Sequence, residues 1–259
     1  MGFFFALRFL TIFPIPLLRE GDAREIGRSV VSFPLVGLVL GFLLLGLGEL
    51  FDLFLPLSLT NVLLVAAGVI LTGALHLDGW IDTCDGAFIR STPEERLRVM
   101  ADSRVGSFGV AGACLLLLTK YLALAAVPDE VRKPALVMMP LASRWAVVCA
   151  IGLFRYARDS GTGTAFKAQV GRGMILAATL VTLLLSAMLA GFSGLALMGS
   201  VWLLLLAIAG LLAYRLGGLT GDGYGAINEV TEVLSLVLLP LLADVLSTHF
   251  LGPWDVFHF

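Results

Sequence analysis

Charged residues are scarce in this chain of 259 residues, and that scarcity decides its class. Asp, Glu, Lys and Arg make up 14% of the sequence, whereas 59% is hydrophobic and the mean hydropathy is +0.98. A soluble domain carries about 25% charged residues, so the composition excludes an ordinary soluble fold and predicts a polytopic membrane protein. The formal net charge of -2 gives no indication of a nucleic-acid partner.

Cysteine and targeting signals are scarce as well. Cys84, Cys114 and Cys149 lie in or beside apolar runs without the spacing of a zinc site, so we expect reduced packing residues. The apolar opening, residues 1–13, shows neither the positive start nor the cleavage site of a signal peptide. Pro14 and Pro16 follow it, and we expect an interfacial or short buried segment.

About seven apolar runs approach the roughly 20 residues that a bilayer-spanning helix needs. Because backbone groups in lipid require internal partners, each run predicts a helix. The small residues at 191–194 predict a tight hairpin of the fifth and sixth runs, or else a single broken helix. We therefore predict an all-α, polytopic membrane protein with one domain over residues 1–259. The runs cover about residues 30–50, 60–77, 108–127, 134–154, 174–191, 196–214 and 230–250.

Basic residues are distributed unevenly between the connecting segments. If the N-terminus is cytoplasmic, thirteen of the 17 Lys and Arg residues fall in cytoplasmic segments. Arg132 and Lys133 lie on the other side, and Lys120 and Arg144 lie within spans. The positive-inside rule thus predicts a cytoplasmic N-terminus. The longer polar segments then share one face, which suits an enzyme with a cytoplasmic substrate better than a transporter.

An acidic cluster follows the second apolar run. Asp78, Asp82 and Asp85 recur at i, i+4 and i+7, so on a helix they share one face. A divalent cation is the simplest relief of their repulsion, and oxygen ligands favour Mg²⁺ or Mn²⁺. The alternative is a helix end with solvated acids, although acids prefer helix starts and this cluster follows a long apolar run.

Two further polar stretches are candidates for phosphate contacts. Ser103 and Arg104 precede the third span, where free N–H groups at a helix start suit an anion and Asp102 is a further metal-ligand candidate. An ordinary helix cap explains that pattern equally well. Arg158 and Lys167 lie in a stretch rich in glycine and hydroxyl groups, residues 156–167, which is either a nucleotide-contacting loop or a flexible connector.

A fourth polar stretch opens the last span. Glu229 and Glu232 are i, i+3 neighbours, Asn228 lies beside them and Asp222 precedes them. Acids cap helix starts, but carboxylates at membrane depth are costly and usually functional. With the three aspartates they would form one group of five or more carboxylates, enough for one or two divalent ions around a diphosphate.

Charges inside the predicted spans are the remaining candidates. Lys120 and Arg144 are functional-site candidates by default, and the alternative is that each pairs with a buried acid. Asp244 is another charge within a span that needs a partner.

Together these stretches resemble the adenosylcobinamide-GDP ribazoletransferases, also called cobalamin synthases. His76–Gly86 is similar to the acidic motif of that family, and Leu7–Pro16 to its opening. Met100–Gly106 is similar to its M-x-D-S-R-x-G segment, and Gly221–Glu232 to its G-D-x-x-G-A-x-x-E-x-x-E segment. Trp80 and Ile81 depart from the usual Leu and Ala, which affects the packing beside Asp82.

The resemblance implies a Mg²⁺-dependent enzyme of the last steps of cobalamin biosynthesis. It would join adenosylcobinamide-GDP to α-ribazole, or to its 5′-phosphate, and release GMP. We expect these small molecules and the lipid bilayer as partners, together with a homo-oligomer or other late cobalamin enzymes, and an inner-membrane location with a cytoplasmic active site. The candidate residues are His76, Ser103, Arg104, Arg158 and Lys167 for substrate, Asp82, Asp85 and Glu229 for catalysis, and Asp78, Asp82, Asp85, Asp222, Glu229 and Glu232 for metal.

Other functions fit part of the pattern. Asp82-x-x-Asp85-Gly86 matches part of the acidic motif of CDP-alcohol phosphotransferases, but the Ala-Arg after Asp-Gly and the later paired aspartates are missing. An intramembrane aromatic prenyltransferase would show acidic motifs on two similar halves, and no such repeat is evident. A cation-coupled transporter is the rival from a different class, with the charges inside the spans as a relay.

Overall fold

The computed structural model describes residues 2–15, 23–158 and 162–246. The predicted all-α class is confirmed, because this part of the chain contains eleven α-helices and no strand. Pro16, residues 159–161 of the third polar stretch and the end of the last predicted span lie outside it. The helices are α1 Gly2–Leu10, α2 Ala23–Ser29, α3 Phe33–Asp52, α4 Leu57–Leu71, α5 Leu75–Gly86, α6 Pro93–Val99, α7 Ser107–Ala125, α8 Asp129–Leu153, α9 Thr162–Gln169, α10 Arg172–Leu216 and α11 Gly221–Val245.

Helix α8 forms the centre of the bundle. Its most apolar window is 89% buried, against 28% for α7 and 33% for α10, which expose apolar faces suited to lipid. Helix α3 packs closely against it through Gly37 and Gly41. A Cβ at Gly41 would lie only 2.7 Å from the Val137 Cα, so this G-x-x-x-G pair allows the two backbones to approach.

A sharp break separates α4 from α5. Gly73 and Ala74 both have a φ of 58°, in the left-handed region, and the two helices meet at 89°. The acidic cluster therefore does not end a long apolar helix, which corrects our interpretation of that stretch. Asp78 instead lies in the first turn of a new helix, where the helix dipole favours an acid.

The fifth and sixth apolar runs both lie in α10. A sharp turn in the middle of α10 divides it into two helical halves. Ala190 and Gly191 have non-helical backbone angles, and Gly191 has a φ of 54°. A Cβ at Gly194 would collide with the Ser186 carbonyl oxygen, although eight residues along an uninterrupted helix span about 12 Å. The chain thus turns back on itself, as the predicted hairpin requires.

The number of membrane crossings depends on these two breaks. Among the residues that the structure describes, five helices are long and apolar enough to cross, or six if the bent pair α4–α5 counts as one span. In either case α10 is taken as one helix. Our figure of about seven crossings stays a prediction, as does the side on which the N-terminus lies.

The polar segments meet at one end of the bundle. The Arg96 guanidinium donates to the Arg215 carbonyl oxygen at 2.7 Å, and the segments around Tyr156 and Leu219 form an isolated parallel bridge. At the other end, Lys133 lies 3.3 Å from the Glu49 carboxylate. The segments that we expected on one face of the membrane are therefore neighbours in space.

Candidate functional site

Helices α5 and α11 cross at close range, and this crossing positions the site. A Cβ at Gly79 would lie 2.8 Å from the Asp222 carbonyl oxygen, and a Cβ at Gly225 would lie 2.9 Å from that of His76. Only glycine allows both contacts without a shift of one backbone. The crossing places Asp78 and Asp82 on α5 beside Asp222 at the start of α11.

The acidic cluster extends onto a second helix. Asp78, Asp85 and Asp222 all lie within electrostatic range of Asp82. All three aspartates of the motif lie on the single helix α5, as predicted from their spacing. Asp78 is exposed, and Asp82 and Asp85 are half-buried.

Arg158 brings a positive charge to this cluster. Two backbone hydrogen bonds of 2.8 Å join Ala157 to Leu219 and Leu219 to Arg155, so the two connecting segments run side by side. The Arg158 guanidinium then donates to the Asp222 carboxylate at 2.8 Å. Arg158, which we expected near phosphate, therefore lies at the edge of the acidic cluster.

Asp85 has a contact that its spacing did not predict. Its carboxylate accepts hydrogen bonds from the backbone N–H groups of Gly106 and Gly109, both at 2.7 Å. A carboxylate at the N-terminus of α7 satisfies free donors and interacts favourably with the helix dipole. The N–H groups that we proposed for phosphate are thus already held by an acid, and the role of Asp85 in metal binding or catalysis stays a prediction.

Replacing Asp85 with alanine should destabilise the start of α7. Two charge-assisted hydrogen bonds disappear, and we expect a loss of about 1.5–3 kcal/mol in the free energy of unfolding. Asp85→Asn should lose less, since its amide oxygen still accepts one bond. Thermal unfolding in detergent measures both, with Asp52→Ala as the control. If Asp85→Ala kept full stability but lost turnover, Asp85 would have a role in the reaction and none in stabilising α7.

The second polar stretch is largely exposed. Arg104 binds Asp102 at 2.7 Å, and its side chain is 88% exposed. This hydrogen bond lowers the pKa of Asp102 to about 2. Ser103 is exposed beside them. Asp102 therefore pairs with Arg104, whereas the roles of Ser103 and Arg104 in substrate binding stay predictions.

Lys167 contacts the protein backbone. It lies on α9 and donates to the carbonyl oxygens of Ile151 and Gly152, at 2.9 Å and 3.0 Å. These carbonyls end α8, so a cation there satisfies free acceptors and complements the helix dipole. Burial lowers the pKa of Lys167. Its contact with phosphate stays a prediction, since the amino group already has this structural role.

A second cluster of charges is buried deeper in the bundle. Lys120 of α7 donates to Glu229 at 2.6 Å and to Glu232 at 2.7 Å. Arg144 of α8 also donates to Glu232, and the Asn228 amide does so at 3.2 Å. Lys120 and Arg144 thus pair with buried acids, the structural alternative that the sequence left open, whereas Asp244 is exposed near the end of α11.

The carboxylates therefore form two groups, which corrects the expectation of one shared cluster. Asp222 and Glu232 lie ten residues apart on the continuous helix α11, or about 15 Å along its axis. Glu229 and Glu232 face cations in the core, so they cannot bind the same ion as Asp222. Within the described ranges, no set of three or more His, Cys, Asp or Glu side chains is already arranged around a metal position.

His76 lies between the two groups. It is 5% exposed and within electrostatic range of Arg144 and Glu232. It also lines a cavity that Asp78 and Asp222 share. Sequence reasoning identified His76 from the motif, but it missed the aromatic wall of this cavity. Phe166 belongs to the third stretch and Tyr224 to the fourth, yet nothing in the sequence indicated that both line one cavity.

Taken together, the apolar helices and the polar site at one end define a polytopic membrane enzyme. A sequence model described as cobalamin-5-phosphate synthase matches residues 2–240. The chain belongs to this family, and the resemblance seen in the motifs is confirmed.

Named relatives cover almost the whole chain. An adenosylcobinamide-GDP ribazoletransferase of Geotalea daltonii is 39% identical over 92% of this chain and 96% of its own length. Proteins of the same name from Roseiflexus sp. and Desulforamulus reducens are 37% and 38% identical, over 93% and 90% of this chain and 89% and 94% of their own lengths. No solved structure matches the chain significantly.

Proposed function

We propose that this chain is a membrane transferase that joins adenosylcobinamide-GDP to ribazole in cobalamin synthesis. The observation that carries the proposal is the family match over residues 2–240, which includes all the polar segments that meet at one end of the bundle. Incubating the purified protein in detergent with both substrates should yield GMP and a corrinoid that carries the ribazole base, both identified by mass spectrometry. Uptake of a substrate into vesicles without turnover would instead favour a transporter.

Asp78 and Asp82 are the carboxylates that we assign to the donor diphosphate. Asp85 is held by the start of α7, and Asp222 is paired with Arg158. No hydrogen bond or ion pair within the described part of the chain occupies Asp78 or Asp82. Among the described residues, their oxygens are grouped without a matching number of cations. Carboxylate oxygens are the ligands that Mg²⁺ prefers. When bound there, Mg²⁺ supplies positive charge against the diphosphate and the departing GMP.

We assign a single displacement at phosphorus to this arrangement. The ribazole hydroxyl attacks the phosphorus that remains with cobinamide, and the bond from that phosphorus to the GMP oxygen breaks. Asp82 is our assignment for the carboxylate that takes the hydroxyl proton, since it is half-buried beside the other acids. Arg158 holds a phosphate oxygen while it remains close to Asp222. Glu229 is a poor candidate for this role because Lys120 already binds its carboxylate.

Removing divalent cations should abolish turnover and leave the fold intact. Like charges on α5 and α11 face a diphosphate donor, and without a cation these anions repel one another. We expect exhaustive chelation to stop GMP release and added Mg²⁺ to restore it. The melting temperature, measured in parallel, should show that the chelated protein remains folded. Turnover that continues at the original rate after chelation would contradict the assignment.

The site faces the cytoplasm of the cell in our proposal. The positive-inside rule supports this orientation, because most basic residues lie in the segments that meet at this end. Cysteine labelling of spheroplasts tests it in a background that has Cys84, Cys114 and Cys149 replaced by alanine, with single cysteines introduced at Arg90 and at Asp129. In intact spheroplasts, a membrane-impermeant reagent should label the Asp129→Cys protein and leave the Arg90→Cys protein unlabelled. The opposite result would show that the site faces away from the cytoplasm.

A further inference from the structure

A partly open cavity lies beside the acidic cluster. It has a volume of about 300 Å³ and is lined by residues from α1, α3, α5, α8, α9 and α11. This size lies at the lower end of the range for small-molecule sites, about 300–1,000 Å³. Asp78 and Asp222 belong to its lining. A molecule held in the cavity would therefore place its outer end next to the carboxylates assigned to the reaction.

One wall of the cavity consists of three phenylalanine rings. Phe166 packs edge-on against Phe9 and Phe33, with ring centroids 5.0 Å and 5.8 Å apart. Phe9 and Phe33 stack with centroids 6.1 Å apart. Phe33 is 1% exposed and Phe166 is 3% exposed, so these two rings are fixed in the core, whereas Phe9 is 36% exposed and contributes the open part of the wall. Such a wall favours a flat aromatic ligand.

Two residues that line the cavity also carry buried polar atoms without partners. Within the described part of the chain, neither the His76 Nδ1 nor the Tyr224 hydroxyl has a hydrogen-bond partner, although both atoms are buried. Their residues are 5% and 6% exposed, and both line the cavity. Buried polar atoms are nearly always paired in proteins, because leaving one unpaired is costly. Two such groups on residues that line one cavity therefore point to a ligand with a polar atom.

We propose that this cavity binds the benzimidazole base of the ribazole acceptor. The inference rests on the proposed function and assigns the place of one substrate within it. The base is flat, aromatic and largely apolar, and it carries one ring nitrogen that accepts a hydrogen bond. The phenylalanine wall contacts the ring, and the Tyr224 hydroxyl donates to that nitrogen. The attached ribose then extends past Asp78 and Asp222, which brings its hydroxyl group to the acidic cluster.

Guanine of the donor is the other aromatic group in the reaction, and it fits the cavity less well. Its edge carries several donors and acceptors, and burying each without a partner is unfavourable. The walls away from Asp78 and Asp222 are mostly aromatic and aliphatic. An apolar base with a single acceptor matches this surface, whereas guanine would leave most of its edge unpaired.

Two variants test the assignment with matched controls. Phe166→Leu removes one ring of the wall but stays apolar, and Tyr224→Phe removes only the hydroxyl. The controls are Phe192→Leu and Tyr214→Phe, whose parent residues are 68% and 86% exposed on α10. The first measurement is the affinity of each purified protein in detergent for free α-ribazole, without donor or divalent cation. The second is the KM for each substrate during turnover.

We expect Phe166→Leu to weaken α-ribazole binding about tenfold through lost aromatic contact. Tyr224→Phe should weaken it about fivefold through the lost hydrogen bond. The KM for α-ribazole should rise in parallel, while the KM for adenosylcobinamide-GDP stays unchanged. In both control variants, the affinity for α-ribazole and both KM values should equal those of the wild type. Tyr224→Phe conserves the shape of the side chain, so it provides the test even if Phe166→Leu fails to fold.

Three results would overturn the assignment. A rise confined to the KM for adenosylcobinamide-GDP would place guanine in the cavity, and unchanged constants in both variants would show that the cavity is not a subsite. Equal weakening in the controls would show a general effect on the fold. A wild-type protein that binds α-ribazole but releases no GMP would contradict the proposed function and leave the cavity assignment standing.

Discussion

Replacing Asp82 with asparagine is expected to lower the rate of GMP release by about 10²–10⁴-fold. The substitution keeps the size of the side chain but removes its negative charge and its ability to take a proton. Asp82 lies among Asp78, Asp85 and Asp222, so it is the central carboxylate of the group. The measurement is steady-state release of GMP by purified protein in detergent, with saturating Mg²⁺ and both substrates.

The control for this variant is Asp52→Asn. Asp52 is exposed at the end of α3, at the opposite end of the bundle, so the same chemical change there should leave turnover unaffected. Asp82→Asn should also keep the melting temperature of the wild type or exceed it, because it removes repulsion between acids. If the variant released GMP at the wild-type rate with Mg²⁺ present, the assignment of Asp82 would be wrong.

Replacing Lys120 with methionine is expected to destabilise the protein by about 3–5 kcal/mol. The change leaves Glu229 without its cation and Glu232 with Arg144 alone, inside the helical bundle. The cost arises because an unpaired charge is buried where water cannot reach it. Thermal unfolding in detergent and the recovery of monodisperse protein measure the effect.

Two comparisons separate lost pairing from a general effect of the substitution. Lys133→Met breaks a pair in which Glu49 is 56% exposed, and pairs of this kind contribute little to stability. The double variant Lys120→Met, Glu229→Gln removes the orphaned charge and keeps Arg144 with Glu232, so it should recover most of the loss. If Lys120→Met were no less stable than Lys133→Met, the buried cluster would not support the fold.

Local patterns in the sequence predicted much of this architecture. A helix needs only its own residues for its backbone hydrogen bonds, so long apolar runs identified the helices without knowledge of their neighbours. The spacing of Asp78, Asp82 and Asp85 placed them on one face of α5 for the same reason. The uneven distribution of basic residues predicted which polar segments share a face, and these segments are neighbours in the structure.

Contacts between distant residues were harder to predict. The sequence indicated that Glu229 and Glu232 were functional, but their partners Lys120 and Arg144 lie on two other helices. The contact of Asp85 with the start of α7 depends on how the 87–106 segment folds back. The left-handed Gly73 and Ala74 also gave no clear signal, because alanine rarely adopts that conformation.

By itself, the amino-acid sequence determined that this is a helical membrane protein, which segments are polar, and which acids share a helix face. It also carried the motifs that identify the family. Only the tertiary structure decided which acids are paired and with which partners, and that Phe9, Phe33 and Phe166 meet beside the acidic cluster. The physical reason is that helical periodicity is a local property, whereas pairing and cavity formation depend on how separate helices cross. The crossing of α5 and α11 thus turned a row of aspartates into a site with two helices and an adjoining cavity.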